Sequence, residues 1–307
     1  MQRSRVPYPQ LLQLLHHPWL RHLRLPFNLL LSPIYLWGVL LAGGSPREAG
    51  FWLGYLSLHL FLYGGTTAFN SYFDKDEGPI GGMLEPPAVD GGLLYFSLAV
   101  QVAGLPLALL VGPAFTLAWL ALFTIFTAYS HPAVRLKAKP WAALGAIALG
   151  QGAVGFAGGW FVGKPTLASL LEPVALLGMV TTALIVTGLY IVTQSYQTGE
   201  DRARGDRTLP VMLGVRAALY VAVAVLAAGG AVMVLSLGGR FGWGWSAALG
   251  LFFAAVGVGL LRWAGRFDEL EVRRNFYTAM RFAAVSSGVL SAFLLYHLLW
   301  GAPALGG

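Results

Sequence analysis

The sequence contains no cysteine and very little charge. The absence of Cys from its 307 residues excludes disulfides, thiolate catalysis, thiolate zinc sites and iron–sulfur clusters. Only 11% of the residues are charged, whereas roughly a quarter are charged in a soluble domain. Hydrophobic residues make up 57% of the chain and the mean hydropathy is +0.67. These values predict a protein that resides in a membrane.

Long apolar segments account for most of the chain. About 20 apolar residues cross a bilayer as a helix, and nine segments of about that length are present, at 25–43, 51–72, 93–111, 113–130, 141–162, 173–195, 215–237, 243–262 and 279–300. We therefore predict an all-α polytopic membrane protein, with nine transmembrane helices arranged as two four-helix units plus one around a central cavity. Residues 25–307 are expected to form a single transmembrane domain.

The N-terminal residues 1–24 precede the first predicted span. Their apolar stretch at 11–20 is expected to lie on the membrane surface as a cytoplasmic amphipathic segment. No small-residue cleavage site follows a short apolar stretch, so we expect no removable signal peptide.

The basic residues predict the orientation of the chain. Of the 20 Lys and Arg, 17 fall in alternate loops or at the adjoining helix ends, and three fall on the other side. The positive-inside rule then places the N-terminus in the cytoplasm and the C-terminus outside. The expected location is the inner (cell) membrane of a bacterium. Topology also explains the net charge of +7, so nucleic acid is not an expected partner.

Acidic residues concentrate in two loops on the predicted cytoplasmic side. Eight of the 13 acids lie there, namely Asp74, Asp76, Glu77, Glu85 and Asp90 in one loop and Glu200, Asp201 and Asp206 in the other. Carboxylates at the membrane interface are costly unless they are paired or bind a cation. One interpretation is that these are ordinary, solvated acids at helix ends. The other is that the two loops form a cation site.

The two loops also resemble each other. Residues 70–72 (NSY) match residues 194–196 (QSY), and Asp76-Glu77 matches Glu200-Asp201, each pair being separated by 124 positions. An internal duplication predicts units at about 25–130 and 141–262, followed by a last helix at about 279–300. Parallel repeats place equivalent loops on the same side of the membrane. The two acidic loops are therefore expected to face each other across one cavity.

Helical spacing selects candidate metal ligands within these loops. On a helix that continues past the interface, Asn70, Asp74 and Glu77 share one face, and so do Gln194, Thr198 and Asp201. Oxygen ligands without Cys favour a hard cation such as Mg²⁺. Spacing therefore makes Asn70, Asp74, Glu77 and Asp201 candidate metal ligands, with Gln197 beside them. Seven residues nearly complete two turns, so Glu77 and Asp201 are expected to face each other, with Asp76 and Glu200 as the lesser pair.

These segments carry a family resemblance. Residues 70–78 (NSYFDKDEG) resemble the first aspartate-rich motif, N-x-x-x-D-x-x-x-D, of the UbiA superfamily of intramembrane prenyltransferases. Residues 197–210 (QTGEDRARGDRTLP) resemble its second motif, and residues 24–26 (RLP) and 129–137 (YSHPAVRLK) are similar to other family segments. The chain departs from the pattern at Gly78 and Gln197, where the family has aspartates. In the second motif the resemblance thus leaves Glu200, with Asp201, as a candidate metal ligand.

The resemblance covers essentially the whole chain and implies a function. It implies Mg²⁺-dependent ionisation of an isoprenyl diphosphate, followed by transfer of the prenyl group to a lipophilic or aromatic acceptor. Breaking the allylic C–O bond leaves a diphosphate, whose charge must be neutralised, and a carbocation, which needs a dry, aromatic pocket. Candidate diphosphate ligands are Lys75, Arg135, Lys137 and Arg207. Candidate cation-stabilising residues are Tyr72, Tyr129 and Tyr190, and the candidate catalytic residues are Asp74, Asp201 and Tyr196.

One alternative remains open at this point, and two others are disfavoured. A membrane terpene cyclase of the same type would close the cation on its own chain and need no acceptor. A divalent cation transporter is disfavoured, since His59 and His297 are almost the only ionisable residues deep within predicted spans. CDP-alcohol phosphotransferases have a longer motif with paired D-x-x-x-D acids, which is not found here.

Overall fold

The computed structural model describes residues 17–301, apart from the side chains of 237–239. Long helices dominate: α1 (Pro18–Leu41), α2 (49–74), α3 (Gly92–Val111), α4 (Pro113–Ser130), α5 (Pro140–Gly163) and α6 (Pro173–Gln194). Two short helices, α7 (Thr198–Arg204) and α8 (Leu209–Leu213), precede α9 (Val215–Phe241), α10 (Trp243–Gly265) and α11 (Val272–Trp300). Within the described residues no β-strand forms, and Ile80 and Met83 make an isolated bridge.

Eight of these helices are long and apolar enough to cross a membrane. They are α1, α3, α4, α5, α6, α9, α10 and α11. Helix α2 is also long and includes a π-helical stretch, Ser57–Leu62, but it does not belong to this set. Its second half carries glycines and polar residues in place of apolar ones, at 64–67 and 70–71. The predicted count of nine spans and the arrangement as two units of four plus one are therefore not confirmed.

The apolar helix counted as the first span extends back to Pro18. It is interrupted at Arg24, which has a left-handed φ of 47°, and the helix resumes at Leu25, where the first span was predicted to begin. Most of the amphipathic segment expected at 1–24 lies outside the described residues.

Proline and glycine set the boundaries of several helices. Pro113, Pro140 and Pro173 each occupy the first position of a helix, where the missing N–H would have no partner in any case. Gly112, with a φ of 141°, forms the single-residue joint between α3 and α4. The last part of α3, Leu105–Val111, packs against α4.

Helices α1 and α5 cross with their backbones in close contact. A Cβ atom added at Gly159 would lie 2.0 Å from the carbonyl oxygen of Tyr35, and one added at Gly38 would lie 2.2 Å from that of Phe156. Small residues allow this approach, which maximises van der Waals contact between membrane helices.

Substitution of Gly159 is expected to destabilise the protein. A methyl group there must push α1 away from α5, at a cost of about 1–3 kcal/mol. Gly159→Ala should therefore lower the thermal unfolding midpoint in detergent. Gly288→Ala in α11 is the matched control, since nothing lies within 4 Å of its added Cβ. Equal midpoints for the two variants would contradict the close crossing.

The helices surround a cavity of about 270 Å³. Residues from α1, α2, α4, α5, α6, α9 and α11 line it. Its deeper walls are largely apolar and include Ile34, Trp37, Phe126, Ile185, Met233 and Leu290. Along α6 the lining runs from Thr181 to Gln194, which corresponds to a depth of about 20 Å at 1.5 Å per residue. All the charged lining residues lie near one end.

Candidate active site

The two acidic loops meet at the charged end of the cavity, but neither continues a helix as expected. Helix α2 ends at Asp74, and Lys75 turns the chain with a left-handed φ of 50°. Helix α6 ends at Gln194, and α7 begins only at Thr198. The assumption of continuous helices through residues 77 and 201 is therefore wrong. A left-handed residue reverses the local path, so spacing beyond it no longer predicts a shared face.

This turn changes which carboxylates enter the cavity. Glu77 is exposed and does not line the cavity, whereas the Asp76 side chain is only 3% exposed and does. Arg204 contacts both Asp76 and Asp201. The expectation that Glu77 faces Asp201 is corrected accordingly: Asp76 is the residue that faces Asp201, through Arg204.

Asp74 forms the centre of the first cluster. Its side chain is 6% exposed, contacts Lys137, and lies 4.0 Å from a terminal nitrogen of Arg135. One turn earlier on α2, Asn70 donates a hydrogen bond to the Ser130 hydroxyl at 3.1 Å. This cluster links α2 to the loop between α4 and α5.

Arg204 forms the centre of the second cluster. It lies 3.0 Å from an oxygen of Asp201 and 3.5 Å from one of Asp206, in addition to its contact with Asp76. The Thr208 hydroxyl donates to the other oxygen of Asp201 at 3.0 Å. Arg135 donates two hydrogen bonds of 3.0 Å to Asp206, which joins the two clusters.

Burial raises the free energy of the charged groups in this network. It raises the pKa of Asp201 to about 6 and lowers the pKa of Lys137 to about 7. In both cases removal from water is the largest cause, since it disfavours the charged form. Burial therefore destabilises the Asp201 carboxylate and the Lys137 ammonium, and a bound ligand of opposite charge would stabilise each of them.

Three of the four singled-out tyrosines line the cavity. The hydroxyls of Tyr129 and Tyr190 lie 2.7 Å apart, and the Gln194 amide donates to Tyr190 at 2.7 Å. Tyr196 also lines the cavity, and its buried hydroxyl has no partner among the described residues. Burial raises the pKa of Tyr196. Tyr72 packs beside Leu23 and Ala68 outside the cavity lining.

Of the other expected site residues, Gln197 lines the cavity and the rest lie at its periphery. Lys75 and Arg207 are exposed and do not line the cavity, whereas Gln197 does. Glu200 lies outside the lining and accepts a hydrogen bond of 2.6 Å from the backbone N–H of Gly78. A Cβ atom at Gly78 would lie 2.8 Å from that carboxylate oxygen, so the two acidic loops touch at this point.

Sequence reasoning missed the cavity residues Arg24, Arg204 and Thr208, and it placed Asp206 in an acidic loop without selecting it as a ligand. Arg204 follows Asp201 by three residues, one helical turn, which was a usable signal. Arg24 is buried and donates to the Ser71 hydroxyl at 2.6 Å. Its sequence neighbourhood resembled the family, but no pattern in the sequence indicated that it would reach α2.

The carboxylate oxygens at the charged end suit a metal ion that binds together with the substrate. Within residues 17–301, no three His, Cys, Asp or Glu side chains group into a ready metal site. The carboxylates Asp74, Asp76 and Asp201 contact basic side chains instead. Mg²⁺ commonly takes only one or two carboxylates, with waters and substrate phosphates completing its shell. These oxygen donors therefore fit Mg²⁺ that binds together with a diphosphate.

The fold and site define a class of protein. A bundle of membrane helices encloses an apolar, aromatic cavity with buried carboxylates and cations at one end, which suits a substrate with an anionic head and a long apolar tail. The model of the UbiA prenyltransferase family matches residues 31–285. The chain belongs to this family and is a prenyltransferase of the UbiA type, as the sequence motifs predicted.

Curated relatives share a specific name. The chain is 30% identical over 273 residues to "Digeranylgeranylglyceryl phosphate synthase" of Natronomonas pharaonis, covering 82% of this chain and 88% of that one. It is 33% identical over 186 residues to the protein of the same name from Thermococcus gammatolerans, covering 59% of this chain and 63% of that one.

Solved structures show the same fold. A UbiA homologue from Archaeoglobus fulgidus bound to DMAPP and Mg²⁺ matches with a TM-score of 0.63 at 21% identity, covering 90% of this chain and 99% of that one. The homologue from the same organism bound to GPP and Mg²⁺ matches with a TM-score of 0.59 at 19% identity, covering 90% and 100%.

Proposed function

We propose that this chain ionises an isoprenyl diphosphate with the help of Mg²⁺ and transfers the prenyl group to a lipophilic acceptor. The observation that carries this proposal is the convergence of Asp74, Asp76 and Asp201 with Lys137 and Arg204 at one end of an apolar cavity. The relatives' name favours a glyceryl phosphate lipid over an aromatic ring as the acceptor.

The charged end binds the diphosphate. Asp74, Asp76 and Asp201 would hold Mg²⁺, which supplies charge neutralisation to the leaving diphosphate. Lys137 and Arg204 line the cavity and donate charge-assisted hydrogen bonds to phosphate oxygens. The allylic C–O bond breaks with its electron pair remaining on the diphosphate.

The apolar part holds the prenyl chain and protects the cation. Its depth of about 20 Å accommodates several isoprene units in an extended conformation. Tyr129 and Tyr190 present their rings near the charged end, where aromatic faces stabilise positive charge and the surrounding apolar walls exclude water. The acceptor hydroxyl oxygen then bonds to the allylic carbon, and its proton passes to the released diphosphate or to water.

Product analysis tests the proposed function. Purified protein is incubated with Mg²⁺ and prenyl diphosphates of several chain lengths, with and without a prenylated glyceryl phosphate or an aromatic acceptor. We expect a prenyl ether of the glyceryl phosphate and one inorganic pyrophosphate per product, formed only when that acceptor is present. A cyclic hydrocarbon formed without acceptor would indicate a cyclase instead. Absence of turnover for every pair would contradict the proposal.

The orientation in the membrane is proposed from the distribution of basic residues. The charged end of the cavity, with Lys75, is placed in the cytoplasm and the loop at Arg47 outside. Because the chain has no cysteine, single cysteines can be introduced at these two exposed positions. An impermeant thiol reagent should label Arg47→Cys in intact cells and Lys75→Cys only after permeabilisation. The reverse pattern would overturn the orientation.

A further inference from the structure

The carboxylates expected to hold the metal are already paired with basic side chains. Asp74 contacts Lys137, and Arg204 contacts both Asp76 and Asp201. The three carboxylate side chains are between 3% and 9% exposed, and all five residues line the cavity. At least one oxygen of each carboxylate therefore contacts a basic side chain.

The same two cations, together with Arg24, are placed to contact a diphosphate. Lys137 and Arg204 line the charged end, whereas Lys75 and Arg207 are exposed outside it. The formal charges of the cluster cancel, since four lining carboxylates are matched by four cations: Asp74, Asp76, Asp201 and Asp206 against Arg24, Arg135, Lys137 and Arg204.

A cluster with cancelled charges binds neither ligand well alone. A free divalent cation at Asp74 must displace Lys137, whose side chain is only 8% exposed, and leave its charge without that counterion. A free diphosphate must attract the same cations and leave buried carboxylates unpaired. Breaking a buried ion pair by removing one partner is strongly unfavourable, because the remaining charge has neither water nor a counterion.

We propose that Lys137 and Arg204 are exchangeable counterions that make Mg²⁺ and the diphosphate bind as one unit. The carboxylates would then hold Mg²⁺, and the ammonium and guanidinium groups released from them would turn to the phosphate oxygens. Each ligand thus neutralises the groups that the other one sets free. The site discriminates against free metal and against metal-free diphosphate. This inference rests on the proposed function, since it takes the ligand to be a diphosphate with its metal.

Thermodynamic linkage gives the expected magnitude. Coupling between two ligands is reciprocal, and it typically changes each affinity by about 5- to 150-fold. Radiolabelled inorganic pyrophosphate should therefore bind to the purified full-length chain at least about tenfold more tightly with Mg²⁺ than without it. Mn²⁺ alone, followed by its electron paramagnetic resonance signal, should bind weakly.

Lys137→Met separates this inference from a purely structural role. Removal of the ammonium frees Asp74, so binding of Mn²⁺ alone should tighten by about tenfold while pyrophosphate binding weakens by a similar factor. General damage to the fold would weaken both. Lys139→Met is the matched control, because it removes the same charge from the same loop at an exposed position, and it should change neither affinity. Arg204→Met makes the same test on Asp76 and Asp201 if Lys137→Met does not fold.

Two results would overturn the inference while leaving the proposed function in place. One is pyrophosphate binding that Mg²⁺ does not strengthen. The other is a loss of both Mn²⁺ and pyrophosphate affinity in Lys137→Met and Arg204→Met. If the wild-type chain retains no pyrophosphate at any Mg²⁺ concentration, the proposed function fails as well.

Discussion

Asp74→Asn and Asp201→Asn are each expected to reduce prenyl transfer by about a thousandfold or more. Both carboxylates line the charged end of the cavity, one in each acidic loop. Loss of one ligand to the cation that neutralises the leaving diphosphate should remove about 4 kcal/mol of transition-state stabilisation, which corresponds to that factor. Turnover is measured as prenylated product formed at saturating Mg²⁺ and diphosphate.

The controls for this prediction separate chemistry from folding. Each variant should elute from size-exclusion chromatography as the wild-type chain does. Glu85→Gln removes an exposed carboxylate from the loop that follows α2 and should leave turnover unchanged. Near-normal turnover in both aspartate variants would eliminate the metal-assisted mechanism.

Asp76→Asn is expected to reduce turnover by about a hundredfold, whereas its neighbour variant Glu77→Gln should remain within about twofold of wild type. Asp76 is 3% exposed at the charged end and contacts Arg204, but Glu77 is exposed outside it. The comparison is informative because Asp76 and Glu77 are adjacent and both acidic, yet their variants are predicted to differ widely in turnover.

A larger loss in Glu77→Gln would show that the chain after Asp74 continues as a helix in the working enzyme. The face of α2 that carries Asn70 would then extend to Glu77, as helical spacing alone suggests. The assignment of the enzyme class would stand in that case, but the choice of carboxylate would not.

The internal similarity predicted some positions and misplaced others. Asn70 and Gln194, which are 124 residues apart, both line the cavity near the ends of α2 and α6. Tyr72 and Tyr196 are also 124 residues apart, yet Tyr196 lines the cavity and Tyr72 packs outside it. A short sequence match indicates equivalent loops, but the direction of each side chain depends on where its own helix ends.

The sequence alone determined the membrane class and the family. The hydropathy of a segment is the sum of the transfer free energies of its residues, and this sum does not depend on tertiary contacts. For this reason eight of the nine predicted spans coincide with long apolar helices. The family motifs could also be recognised from the sequence, because Asp74 and Asp201 lie within short segments whose residue types are needed to bind the metal and the diphosphate. The matching family model confirmed that assignment.

Tertiary structure decided which side chains enter the cavity. The left-handed turn at Lys75 brings Asp76 in and leaves Glu77 out, and no periodicity in the sequence indicates such a turn. Arg204 reaches Asp76 across 128 positions of sequence, and Arg135 reaches Asp206 across 71. Ion pairs of this kind depend on the packing of distant helices, because a buried charge is stable only where the fold brings it a partner.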